Sequence, residues 1–283
     1  MEPRTSLAGV GETALGVALV RAEETGRADR LFEDPYADAF VAAAPELFAE
    51  GPAAPDELAL LGALFTCLAF HGVIRTKFFD DHLLAAAAAG GHQVVLLAAG
   101  LATRAFRLPW PPGVQVFEVD LPDVLSFKDR VLAEQDATPR CKRSIVPADL
   151  RQDWAARLLE AGFEPTKRSA WLIEGLLLYL AANEAARMFD AVTYLASTGS
   201  ELAFDDGNLV DSSLLAQARA IRSMDQFTSL WRGALDEDAP DWLARHGWKT
   251  QTHDHAKLAA TYGRSIPAHA SGDLVTAVRS NGP

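Results

Sequence analysis

From residue 93 onward, short apolar runs alternate with helical segments, and this alternation restricts the chain to a parallel sheet joined by crossover helices. Gln93-Val94-Val95-Leu96-Leu97-Ala98 is a continuous apolar run closed by Gly100, the pattern of a strand buried on both faces. Further β-rich runs occupy residues 114–119, 143–146, 169–173 and 200–204. Between them, residues 122–135 read as a helix with proline in its first turn, 151–161 as one stopped by Gly162, and 183–196 as one capped by Asn183. After Asp206 the alternation stops. Residues 209–225 and 242–247 read as helices, 248–252 and 274–279 as late strands.

The first 90 residues have a different texture. Residues 13–28 repeat apolar positions at helical spacing, Asp34-Pro35 restarts the pattern, and residues 45–55 read as a loop rich in Pro, Gly and Ala. Two more helices are expected at 58–70 and 75–89, the second stopped by Gly90-Gly91. This divides the chain into a helical cap, residues 1–90, and a sheet domain, residues 91–283. With 49% hydrophobic residues among 283, disorder, collagen and coiled-coil readings are excluded. Lys and Arg total 26 and Asp and Glu 38, a net charge of −12, which argues against nucleic acid and anionic membranes as partners. Two cysteines, Cys67 and Cys141, are too few for a disulfide scaffold and suit a reducing compartment. The longest apolar stretch, residues 58–70, falls short of the roughly 20 residues a membrane span needs. No basic leader opens the sequence, so the expected location is the cytoplasm.

In an open parallel sheet, ligands bind at the carboxyl ends of the strands. Those ends carry Gly100, Asp120, Asp149, Glu174 and the pair Asp205-Asp206. Asp120 follows Gly100 by 20 residues, a distance that suits a carboxylate accepting from ribose hydroxyls, and Asp149 could take an exocyclic amine. Each acid alone reads rather as a structural residue such as a helix cap, Asp120 and Asp149 especially; their joint occurrence at successive strand ends favours a ligand. No GxGxxG follows the first strand, which disfavours a dinucleotide. Metal spacings and a GxSxG nucleophile elbow are absent from the sequence. By spacing alone Arg21 and Arg75 are solvated helix faces, and residues 224–231 are apolar pocket or core.

Several stretches together, however, match a known pattern. They are Thr13 to Glu23 with Arg21, Asp34-Pro35-Tyr36, Arg75-Thr76-Lys77-Phe78-Phe79-Asp80, and Leu97-Ala98-Ala99-Gly100-Leu101-Ala102-Thr103-Arg104 continuing to Leu108. Phe117-Glu118-Val119-Asp120-Leu121-Pro122, Lys128, Ala148-Asp149-Leu150, Glu174 to Leu180 and Tyr262-Gly263-Arg264 follow in order. Over residues 13–279 the chain resembles the leucine carboxyl methyltransferase family of S-adenosylmethionine-dependent enzymes, in its bacterial branch of natural-product O-methyltransferases.

That resemblance implies an α/β, Rossmann-like class I methyltransferase fold. Its mostly parallel seven-stranded sheet would have helices on both faces, an N-terminal helical lid and a substrate-covering insertion at about residues 207–245. It implies that Arg75 pairs with the methionine carboxylate of S-adenosyl-L-methionine with Arg21 assisting, since a guanidinium forks onto a carboxylate. Ala99 and Gly100 would pass under the methionyl part, Asp120 with Leu121 would hold the ribose, and Asp149 with Leu150 would read adenine. Glu174 would face the methionine amino group and Tyr179 the mouth of the transfer site. The family's usual Asp is Ala102 here, which removes one polar contact or helix cap. The implied activity is O-methylation of a small-molecule hydroxyl or carboxylate in secondary metabolism, with His71, Tyr179 and His253 as candidate bases. A small-molecule acceptor is the expected partner, and a homo-oligomer stays open. Competing readings are C- or N-methylation on the same scaffold, an NAD-dependent oxidoreductase, and a non-catalytic S-adenosylmethionine-binding protein.

Overall fold

Strand β1 (Gln93–Leu97) is buried along its whole length, and its alternating side chains feed two separate cores. Val94 and Leu96 enter one, Val95 and Leu97 the other, as the two-residue period of a strand requires. This is seen in a computed structural model that describes residues 7, 10–45, 55–208, 210–220, 230–233 and 235–280. Strands β2 (Gln115–Asp120), β3 (Lys142–Pro147), β4 (Ser169–Ile173), β5 (Glu201–Asp205), β6 (Trp248–Asp254) and β7 (Asp273–Arg279) complete a seven-stranded sheet. Their order is β3-β2-β1-β4-β5-β7-β6. The first five strands run parallel, whereas β7 lies antiparallel between β5 and β6. The chain leaves β1 toward β2 and later returns to β4 on its other side, so the switch point lies between β1 and β4.

Helices cover both faces. Helices α1 (Val10–Thr25), α2 (Ala37–Ala42), α3 (Pro55–Ala88), α4 (Arg104–Arg107) and α5 (Pro122–Glu134) contribute to the core of Val94 and Leu96. Helices α6 (Trp154–Glu160), α7 (Ala182–Leu195) and α9 (Ala239–Arg245) pack with Val95, Phe117 and Trp171 on the other side. Helix α8 (Ser212–Arg219) packs Leu214 and Ala218 against Leu64 and Cys67 of α3, and α10 (His255–Thr261) follows β6. Leu15, Phe40, Phe79 and Leu83 from the first 90 residues thus share one apolar core with the sheet.

Several boundaries differ from those expected. The helices read at 58–70 and 75–89 are one helix of 34 residues, α3. Gly72 does not break it: a Cβ there would meet Val20 Cγ1 at 3.1 Å, so the glycine admits the close crossing of α1. With that fusion, α3 becomes long and apolar enough to cross a membrane by length and composition, against the shorter stretch expected. Its second half lies instead on the sheet, where Phe79 and Leu83 are fully buried and Asp80 is ion-paired. Helix α6 starts at Trp154 rather than 151, capped by Asp153, which accepts from the Ala156 N–H. Helix α7 begins at Ala182, and Glu184 rather than Asn183 serves its first turn by accepting from the Ala181 N–H. The loop read at 45–55 and the end of the helix read at 209–225 lie largely outside the described residues, as do residues 224–229 of the apolar segment.

Candidate functional site

A cavity of ≈ 510 Å³ opens at the carboxyl ends of β1, β2, β4 and β5, beneath α1 and α3. Its size suits a small-molecule site, and its position is the one the switch point dictates. The loop after β1 forms its floor. Ala98 and Gly100 both take left-handed backbone, at φ 54° and 51°. For Ala98 this costs roughly 1–2 kcal/mol, a strain stored at the site. The kinked loop lets Ala99 N–H donate to Val119 O at 3.1 Å and Gly100 N–H donate to Asp120 Oδ2 at 2.6 Å.

Asp120 ends β2 and also accepts from the Leu121 N–H, through Oδ1 at 2.7 Å. It therefore ties the two strand-end loops together, while Leu121 takes the cap position of α5. Burial raises its carboxyl above the usual range, although both N–H donors and Lys128 oppose this. Each oxygen retains a second lone pair for a ligand.

Arg21, Arg75, Glu174 and Asp205 line another part of the cavity and are backed by Asp34, Asp80, Arg104 and Arg107 in one buried array of charges. Glu174, just beyond β4, receives Arg104 Nη1 at 2.6 Å, Arg75 Nε at 3.2 Å and Arg21 Nη2 at 3.6 Å. Burial pushes the Glu174 carboxyl up, but Arg104, Arg21 and Arg75 outweigh it and hold the group well below the usual carboxylate range. Arg75 also reaches Asp205 Oδ2 at 3.5 Å, while Asp205 Oδ1 accepts from the Gly175 N–H at 2.6 Å. Arg104 and Arg107 share Asp80, at 2.8 and 2.6 Å, and Arg107 approaches Asp34 at 3.9 Å. Four guanidiniums thus face four carboxylates. Arg21 is the least satisfied, with its buried Nε lacking a hydrogen-bond partner. A zwitterionic head can exchange into such a balanced array, its carboxylate against Arg21 and Arg75 and its ammonium against Glu174 and Asp205.

Toward the other end, the cavity becomes apolar. Leu61, Leu64, Phe65 and Leu68 of α3 face Leu178 and Trp231. Among the described lining residues, Arg21 and Arg75 are the only arginines and there is no lysine. His71 stands on α3 between this stripe and Arg75, its Nδ1 3.1 Å from His255 Nδ1. Tyr179 lines the cavity from the 3₁₀ turn Leu177–Tyr179.

Of the residues picked out in the sequence, Arg21, His71, Arg75, Ala99, Gly100, Asp120, Leu121, Glu174 and Tyr179 line this one cavity. Asp149, Leu150 and His253 are not among its lining residues. The Asp149 carboxylate is held by Arg151 Nη2 at 2.7 Å, and Arg151 lowers its pKa. Leu150 packs into the second core, and His253, on edge strand β6, shares a hydrogen bond with Thr276 Oγ1 at 2.8 Å. Sequence reasoning missed Arg104, Asp80 and His255. Ala102 is buried, its N–H donating to Ala99 O, and Thr103 beside it bonds Asp34 rather than capping α4.

Residues 14–193 match the model of the leucine carboxyl methyltransferase family. A protein of Parafrankia sp. (strain EAN1pec), provisionally named an S-adenosyl-L-methionine-dependent methyltransferase, is 49% identical over 277 residues, 97% of this chain and 89% of its own length. A protein of Frankia alni with the same provisional name is 48% identical over 273 residues, covering 96% of this chain and 95% of the relative. A solved structure from Thermobifida fusca YX, provisionally named a methyltransferase, matches with TM-score 0.53 at 18% identity, over 90% of this chain and 95% of the other. That likeness speaks to the fold.

Proposed function

Since the chain belongs to the leucine carboxyl methyltransferase family and is an S-adenosylmethionine-dependent methyltransferase, we propose that it methylates an oxygen of an apolar small molecule. The observation behind this reading is the polarity gradient of the cavity, charged at Arg75 and Glu174 and apolar from Leu61 to Trp231.

The residues present fit the cofactor. Arg21, with its unpartnered Nε, and Arg75 would take the methionine carboxylate, and Glu174 and Asp205 the amino group. Gly100 would allow close backbone approach, and Asp120 would accept from the ribose hydroxyls through its spare lone pairs. Asp149 would serve the adenine only after releasing Arg151. When bound, S-adenosylmethionine supplies a methyl group on a sulfonium, an already activated leaving group. The work left to the chain is orientation and exclusion of water. A carboxylate acceptor needs no base, whereas a hydroxyl gains from one; His71 and Tyr179 line the cavity for that role, and His253 would need to approach it. Of the segment read as covering the substrate, about 207–245, residues 209, 221–229 and 234 lie outside the described residues, and Trp231 lines the cavity.

The test is calorimetric titration with S-adenosylhomocysteine and NAD, followed by labelled-methyl transfer to a panel of phenols, aliphatic alcohols and carboxylic acids. Saturable S-adenosylhomocysteine binding and a product methylated on oxygen, located by NMR, are expected. Transfer to carbon or nitrogen alone would replace the oxygen reading by the C- or N-methyltransferase one.

A further inference from the structure

Next to the apolar end of the main cavity lies a second, smaller one of ≈ 110 Å³. Leu64, Leu68, Leu178 and Trp231 belong to the walls of both, so these four residues form the partition between them. Leu64 and Leu68 stand one turn apart on one face of α3. Leu178 O accepts from the Arg232 N–H at 2.7 Å, which ties the segment carrying Trp231 to the 3₁₀ turn. Gly207, at φ 84°, brings the loop after β5 close against the same turn: a Cβ there would meet Leu178 N at 3.3 Å.

Neither cavity alone accounts for an acceptor. The main one, at ≈ 510 Å³, falls in the range of a site for one small molecule, about 300–1,000 Å³, yet it has cofactor and acceptor to hold together. The smaller one is below that range but well above the roughly 10–15 Å³ that one water requires, so it suits the end of a molecule and not a whole one. At about 1.5 Å per residue, Leu68 and Leu64 stand roughly 10 and 16 Å along α3 from Arg75. A molecule reaching from the charged end of the main cavity into the second one must therefore be long.

The second cavity is polar where the stripe is not. Asp206, Asn208 and Arg219 line it and do not line the main cavity. Asp206 Oδ1 accepts from the Asn208 N–H at 2.9 Å and Oδ2 from Asn208 Nδ2 at 3.0 Å, and each oxygen retains a lone pair. Arg219, exposed at the end of α8, brings guanidinium donors. A carboxylate placed here would be repelled by Asp206 and an ammonium by Arg219, whereas a hydroxyl can donate to the one and accept from the other. We propose that the second cavity is a subsite for the far end of an elongated acceptor. The acceptor's apolar middle passes the partition as the side chains of Leu64, Leu68 and Leu178 turn, and an uncharged hydroxyl at its end lies between Asp206 and Arg219. The inference rests on the reading above that the chain methylates an oxygen of an apolar small molecule.

The subsite can be read by binding, without turnover. The full chain, saturated with S-adenosylhomocysteine, is titrated calorimetrically with para-ethylphenol, para-octylphenol and the ω-hydroxy, ω-carboxy and ω-amino derivatives of the octyl compound. The octyl chain is expected to bind at least roughly 10-fold tighter than the ethyl one, and the ω-hydroxy form roughly 10-fold tighter than the ω-carboxy and ω-amino forms. Leu215→Trp fills the second cavity from α8, at a residue that does not line the main one, and should cut the octyl-to-ethyl affinity ratio roughly 10-fold. Leu215→Phe serves the same purpose should the tryptophan variant fail to fold. Arg219→Ala, at an exposed position, should narrow the gap between the ω-hydroxy and ω-amino forms. An affinity ratio indifferent to the Leu215 substitutions, or a charged end bound more tightly than the hydroxyl, overturns the proposal. Methyl transfer to para-ethylphenol with no gain in binding from the longer chain overturns the subsite and leaves the oxygen reading standing. Saturable S-adenosylhomocysteine binding, with neither binding of nor transfer to any of these phenols, overturns the subsite together with the apolar-acceptor reading.

Discussion

Gly175 and Arg75 are fitted to each other: a Cβ built on Gly175 would stand 2.9 Å from Nη2 and 3.2 Å from Nη1 of the guanidinium. Gly175 also takes a left-handed backbone, at φ 65°, so two independent constraints exclude a side chain there. The contact joins the end of β4 to the middle of α3. A side chain at 175 would crowd the guanidinium that pairs with Glu174 and Asp205.

Gly175→Ala is accordingly expected to act through Arg75. The left-handed alanine costs roughly 1–2 kcal/mol of stability, and the displaced guanidinium loses its place in the array. Titration should show S-adenosylhomocysteine affinity reduced at least as much as in Arg75→Lys, which keeps the charge and loses the fork. Unchanged affinity in both variants would remove Arg75 from the ligand.

Asp120→Asn tests a residue with two duties. An amide can accept from the Gly100 N–H or the Leu121 N–H, but it turns an NH₂ toward the other. One unmet buried donor costs about 1–3 kcal/mol, and cofactor affinity should fall with it as the loop after β1 loosens. Melting temperature and titration are to be measured together. A large loss of stability at full affinity would make Asp120 a purely structural anchor.

Glu174→Gln should be among the most damaging single substitutions, because it leaves Arg104, Arg75 and Arg21 facing a neutral group. Removing one partner of a buried ion pair costs about 3–5 kcal/mol, read by denaturant unfolding. The wild-type carboxyl is held below its unfolded value. Its stabilisation is thus complete above the unfolded pKa and is lost as pH falls toward the folded one.

The histidines give a second acid sensitivity. Burial lowers His255 and His82 to about 4 each, so below the ordinary value the unfolded chain takes up protons that the folded chain refuses. Stability should fall by about 3 kcal/mol for His255 as pH drops from 6.5 toward 4. Asp206, pushed up to about 6 by burial, acts in the opposite sense over much of that window. The readout is therefore the difference in melting temperature between wild type and His255→Phe, which should shrink on acidification.

How far these features were legible depends on how local their causes are. The run Val94 to Leu97 announces a buried strand, and the acids at 120 and 174 announce strand ends, because strand burial and loop polarity are written in neighbouring residues. The break expected between residues 70 and 75 does not occur, and Gly72 within it is explained only by the crossing of α1 at Val20. Arg75 reads as a solvated arginine until α3 is laid on the sheet, and only the family pattern assigned it a role. Arg104 and Asp80, 24 positions apart, meet through tertiary packing alone. His255 lies two residues from His253 on the adjoining strand and yet is buried against His71 of the cavity lining, while His253 remains on the edge. Asp149 and Asp120 were open to a reading as caps, and the caps proved to be Asp153 and Leu121.

Helix α3 also sets the unit in which this site can change length. Leu64, Leu68, His71 and Arg75 share one uninterrupted rod, so a single residue inserted between Leu64 and Arg75 would rotate one end against the other by about 100°. The guanidinium would leave both Glu174 and Gly175. Seven inserted residues would restore the phase to within about 20° but lengthen the rod by about 10 Å, beyond the sheet end that the array needs. Divergence toward larger or smaller acceptors is thereby steered into trimming or enlarging side chains along the stripe, and insertions and deletions are pushed out to the segments that flank the helix.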